Sequence, residues 1–156
     1  MLGTHSYREL RRKLMRYIRE ERVSFVRGFY NESLTRTLAT DEHMQPALFV
    51  EIDCDLYIST IQALDWLLRS RLVVPGTLIG YDDWVAGGPG GQARAHEEMS
   101  RKWALRTRRL RDPRTGWQRL NGLAALFEVL SVGRAAARTD DEDERERKRT
   151  RSLPVI

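Results

Sequence analysis

Apolar residues recur along this chain with two different periods, and the switches between them outline an α/β order. Over residues 7–21, Leu10, Leu14, Tyr17 and Ile18 repeat at helical spacing among Arg11, Arg12, Lys13, Arg16 and Arg19, which predicts a basic amphipathic helix. Val23-Ser24-Phe25-Val26 predicts a short strand closed by Gly28. Residues 31–34 then form a turn or short helix, and residues 40–46, ending at Pro46, a loop. Residues 47–52 are nearly all apolar, as suits a strand buried on both faces of a parallel sheet. Ile58, Ile61, Leu64, Leu68 and Leu72 continue as a helical stripe until Pro75-Gly76 breaks it. Residues 77–81 are the next strand. The run Gly87-Gly88-Pro89-Gly90-Gly91 is a loop, residues 93–106 a helix with Met99, Trp103 and Leu105 inside, residues 112–116 a turn, and residues 126–132 a last strand.

Strand and helix in alternation predict a mostly parallel sheet with helices on both faces. In such a sheet, function sits at the carboxyl ends of the strands. No repeat is visible. With 156 residues, 41% hydrophobic and 31% charged, the chain has the size and composition of one packed domain. Residues 140–149 contain no apolar side chain, so residues 138–156 read as a solvated, disordered tail.

A formal charge of +5 invites a nucleic-acid reading, carried by Arg101, Lys102, Arg106, Arg108, Arg109 and Arg111. Only Trp103 interleaves these residues, and no RNA- or DNA-binding motif accompanies them; solvated basic faces are the better account. Cys54 is the one cysteine, which excludes an internal disulfide and fits a reducing compartment. Its neighbours Asp53 and Asp55 should raise its pKa, the wrong direction for a catalytic thiol. His5, His43 and His96 have no motif partner and read as surface residues. No apolar signal region or membrane-spanning run is present, so the expectation is a soluble, cytoplasmic protein without a membrane partner.

Specific chemistry lies at the ends of two strands. The strand at residues 48–52 runs into Asp53-Cys54-Asp55, and that at 77–81 into Asp82-Asp83. In a parallel sheet these carboxylates share one edge, where mutual repulsion favours a cation or raised pKa values. Hard oxygen donors select Mg²⁺, Ca²⁺ or Mn²⁺ over zinc. Each aspartate also has a plain alternative, Asp55 as cap of the helix near Tyr57 and Asp83 as former of its own turn.

The run Phe49-Val50-Glu51-Ile52-Asp53-Cys54-Asp55-Leu56-Tyr57-Ile58-Ser59-Thr60 is similar to the strand-to-helix signature of the macrocin O-methyltransferase family, a class I S-adenosylmethionine-dependent group. Leu72-Val73-Val74-Pro75-Gly76-Thr77-Leu78-Ile79-Gly80-Tyr81-Asp82-Asp83-Trp84 resembles its following block, and residues 22–34 its upstream strand. The resemblance covers about residues 23–106 and implies an incomplete Rossmann-like methyltransferase sheet over residues 1–137. It also implies a divalent metal, Mg²⁺ or a similar hard cation, on Asp53, Asp82 and Asp83, with Asp55 as general base toward a hydroxylated small-molecule acceptor. Such a cation eases loss of the hydroxyl proton, and a nearby carboxylate can take it. Tyr57 and Thr60 match the pattern as a packing residue and a first-turn helix residue.

The family's donor site uses a glycine-rich turn after the first strand, followed by an acidic residue after the second. Before residue 23 the chain has only Gly3, so the resemblance is to a C-terminal half. The expectation is a methyltransferase that is truncated, or completed by a missing N-terminal half or a partner subunit. The alternative is a catalytically silent binding or assembly module of the same descent. With the middle of the sheet missing, residues 23–26 either pair beside residues 48–52 or leave that strand's edge open.

Overall fold

The computed structural model describes residues 7–18, 23–85, 91–110 and 125–133. The glycines at 87–90, the turn at 112–116 and the tail from 138 lie outside them. In chain order the elements are α1 (Tyr7–Ile18), α2 (Tyr30–Ser33), α3 (Leu38–Asp41), β1 (Phe49–Ile52), α4 (Tyr57–Arg69), β2 (Leu78–Tyr81), α5 (Gly91–Lys102), β3 (Arg106–Arg109) and β4 (Ala125–Ser131).

The strands form one sheet in the order β1-β2-β4-β3. β1 and β2 are parallel, with Ile52 opposite Tyr81, whereas β4 runs antiparallel to both β2 and β3. The fold is α/β, but the sheet is mixed and not mostly parallel. The reason is topological. β3 points the same way as β2, and the chain re-enters the sheet at Ala125, opposite Tyr81, at the rim where β2 and β3 end. A strand that starts at that rim must run back against its neighbours.

The expected helix over 93–106 ends at Lys102, and β3 begins at Arg106 after a short turn. The Arg-Thr-Arg-Arg sequence of β3 has no apolar alternation to announce a strand. Partners in β4 and α5 hold it instead: Arg108 donates to Glu128 at 2.5 and 3.1 Å, and Thr107 Oγ1 lies 3.1 Å from His96 Nε2. Residues 23–26, expected as a strand, lie outside the sheet with Val26 exposed, because no neighbouring strand completes a ladder for them. Among the described residues the far edge of β1 is therefore open.

Register explains which face is buried. Val50, Ile79 and Phe127 are paired across three strands, as are Ile52, Tyr81 and Ala125, so these six side chains share one face. α4 and α5 lie side by side over it, adding Leu64, Leu68 and Met99 to the core. The two connecting helices thus cover one face, not both. On the opposite face Phe49 is 47% exposed and Glu51 is exposed, so β1 is buried on one face only.

Helix ends also depart from expectation. α4 stops at Arg69, well before Pro75-Gly76. Arg71 takes φ 57, with Arg71 N–H donating to Leu68 O and Leu72 N–H to Leu67 O, the paired bonds of a Schellman motif. α5 ends in the same way with Ala104 at φ 45, and α3 with His43 at φ 51. None of the three uses glycine, so the usual stop signal is missing from the sequence. Glycine is needed elsewhere: a Cβ on Gly133 would lie 2.6 Å from Ala104 Cβ.

Candidate functional site

The carboxyl ends of β1 and β2 are fixed by their last ladder bonds. Asp82 N–H donates to Ile52 O at 3.3 Å, which sets the two acidic segments side by side. Carboxylate oxygens of Asp53, Asp82 and Asp83 lie within 4.8 Å of one another. Asp82 is half-buried, while Asp53 and Asp83 face solvent. The three expected metal residues therefore meet at one rim, close enough together to hold a metal ion.

Asp55 sits next to this group. It does not cap α4, whose N-cap is Leu56 with no side-chain hydrogen bond. Its carboxyl lies close to that of Asp83, whose pKa is raised by hydrogen bonding with Asp55 and by the like charges of Asp55, Asp82 and Asp53.

Cys54 between these residues is pushed up, first by burial and then by Asp53, Asp55 and Asp83, against a lowering contact from Thr60. Thr60 Oγ1 itself donates to Leu56 O at 3.2 Å in the first turn of α4. Tyr57 donates its hydroxyl to Glu98, with the Arg94 guanidinium 4.9 Å from its ring centre, a packing and hydrogen-bonding role on the flank. Tyr30 is close enough for Cys54 and Asp53 to raise its hydroxyl pKa, after the larger effect of burial.

Two residues of α5 were not expected here. Gln92 is fully buried: its Nε2 donates to Ile52 O at 2.9 Å and Cys54 O at 3.3 Å, and its Oε1 accepts from Asp83 N–H at 2.9 Å. His96, expected at the surface, is 5% exposed. Its Nδ1 is 2.8 Å from the Tyr81 hydroxyl, and its ring stacks on Phe127 at 4.4 Å and meets Trp84 edge-on. Helical spacing does hold the signal for both. Gln92 and His96 stand seven and three residues before Met99, on the inward stripe.

Trp84 packs against Tyr81 and Phe127 with Arg109 5.5 Å from its ring centre, and its buried indole Nε1 meets no acceptor among the described residues. None of the described helices is long and apolar enough to cross a membrane. In comparisons with known proteins, no protein-family model matches the chain, and no curated protein and no solved structure matches it either.

Proposed function

We propose that this chain is the metal-binding, acceptor-side part of a Rossmann-like, S-adenosylmethionine-dependent O-methyltransferase of the macrocin type. The convergence of Asp53, Asp82 and Asp83 within 4.8 Å, at the ends of two adjacent parallel strands, carries the proposal. The sequence blocks around those strands, which resemble that family, supply the reaction class. A bound Mg²⁺ or Mn²⁺ supplies positive charge that makes an acceptor hydroxyl easier to ionise. Asp53, Asp82 and Asp83 hold the cation. Asp55, exposed and beside them, receives the hydroxyl proton on a carboxylate oxygen. No glycine-rich strand-to-helix turn lies among the described residues. The donor site is therefore assigned to a segment outside them, in the same polypeptide or in a partner subunit.

Titration of the chain with Mn²⁺, followed by electron paramagnetic resonance, tests this reading. One ion should bind, with affinity falling at least about tenfold in Asp53→Asn, Asp82→Asn or Asp83→Asn, since each removes a charged ligand. Asp55→Asn should retain most of the affinity. If the wild-type chain binds no Mn²⁺ near neutral pH, the reading fails. The open edge of β1 favours a second reading, a silent assembly module. Stoichiometric S-adenosylmethionine binding by the chain would exclude that module and the outside location of the donor site together.

A further inference from the structure

We infer that Gln92 is the positioning residue that holds the two acidic strand ends together as one site, an inference that rests on the metal-binding reading above. The β1–β2 ladder ends with the Asp82 N–H bond to Ile52 O, and among the described residues no backbone hydrogen bond joins Asp53, Cys54 or Asp55 to Asp83. The backbone groups just beyond the ladder are partly buried and need partners. Gln92 supplies them from the first turn of α5, where it has no exposed surface. Both protons of its amide go to the β1 side, at Ile52 O and Cys54 O, and its oxygen takes the Asp83 N–H on the β2 side.

One planar amide thus spans both segments and uses two donors and one acceptor to do so. An apolar side chain of the same size would fill the space and leave the Asp83 N–H and the Cys54 carbonyl without this partner. Those are the backbone groups of a proposed ligand and of the residue joining Asp53 to Asp55. The function of the site comes from carboxylates, and its geometry from an uncharged side chain on a different element.

Gln92→Met keeps length and bulk but removes all three bonds. In the metal-free variant, Asp83 amide hydrogen exchange should quicken at least about tenfold relative to that of Val129, whose amide bonds to Thr77 O at the far end of the sheet. Mn²⁺ affinity should fall by at least about tenfold. Val129→Ala, a core deletion remote from the rim, should lower stability and leave Mn²⁺ affinity unchanged, which separates positioning from general loosening. An unmoved Asp83 exchange rate or an unmoved Mn²⁺ affinity in folded Gln92→Met would overturn the inference. If wild type binds no Mn²⁺ but Asp83 exchange still quickens in the variant, the metal reading falls and the clamp between the strand ends stands. Should Gln92→Met not fold, the Gln92 side-chain amide protons of wild type decide: slow exchange supports the clamp, and exchange at the rate of a free amide removes it.

Discussion

A histidine enclosed by rings and hydroxyls loses the water that would stabilise its charged form. His96 shows this: burial lowers its pKa from 6.5 to about 4. The neutral ring has one donor and one acceptor, and the Tyr81 and Thr107 hydroxyls can match either tautomer. Because the folded value is depressed, the unfolded chain binds this proton first as the pH falls. Stability due to His96 is complete above about pH 6.5 and is lost as pH drops toward about 4. The loss is on the order of 3 kcal/mol. Urea unfolding across this window should show the slope in wild type and a flatter profile in His96→Gln, even though that variant is less stable throughout. Equal slopes in the two proteins would show that His96 is not the group responsible.

Between elements, Asp65 does for the helices what Gln92 does for the strand ends. On α4 it accepts from Arg69 at 2.7 Å within its own helix. It also accepts from Lys102 at 2.7 Å and Trp103 Nε1 at 2.9 Å at the end of α5. Burial alone would raise its pKa, but these three donors outweigh burial and hold it below the ordinary carboxylate value. Its stabilisation is therefore present above the ordinary value and is lost as pH falls through the depressed one. Truncation to alanine leaves the partly buried Lys102 ammonium and the Trp103 indole N–H without this acceptor. Asp65→Ala should cost about 2 kcal/mol, and Asp65→Asn less, because an amide oxygen still serves Trp103. Thermal unfolding checks the order, and a loss below about 0.5 kcal/mol for alanine would place this pair among ordinary surface contacts. By comparison Arg108–Glu128, with Arg108 63% exposed, belongs to that weaker class.

At the scale of the whole molecule, the two edges of the sheet are unlike. β3 lines one edge with Arg106 and Arg108 exposed, the kind of charge that discourages pairing with another strand. β1 lines the other with Phe49 47% exposed and the preceding Leu48 82% exposed, and no described strand pairs with its outer side. Unpaired backbone groups beside exposed apolar side chains are a template for association. Phe49→Lys should therefore reduce concentration-dependent light scattering while leaving the unfolding free energy within about 0.5 kcal/mol of wild type. Unchanged scattering would remove the β1 edge as the source of association.

How much could be read in advance depended on whether the cause was local. The alternation of β1, α4 and β2 follows from short-range apolar periodicity. So does the placement of acidic residues directly after two successive strands, and the parallel β1–β2 pair was enough to bring Asp53, Asp82 and Asp83 to one rim. The Cys54 pKa shift was legible only in part: burial, its largest cause, was not, but Asp53 and Asp55 are chain neighbours. Everything set by distant partners was hidden. β3 is a strand because β4 and His96 bond to it, β4 runs antiparallel because the chain returns at the acidic rim, and three helices end without glycine. The burial of Gln92 and His96 belongs here too: their spacing marked an inward stripe, but only packing of α5 against the strand ends supplied partners that make polar side chains tolerable there. Sequence by itself determined which carboxylates lie at the strand ends, because that depends on local order along the chain. Tertiary structure decided what holds them together, because a hydrogen bond between elements exists only once both are in place.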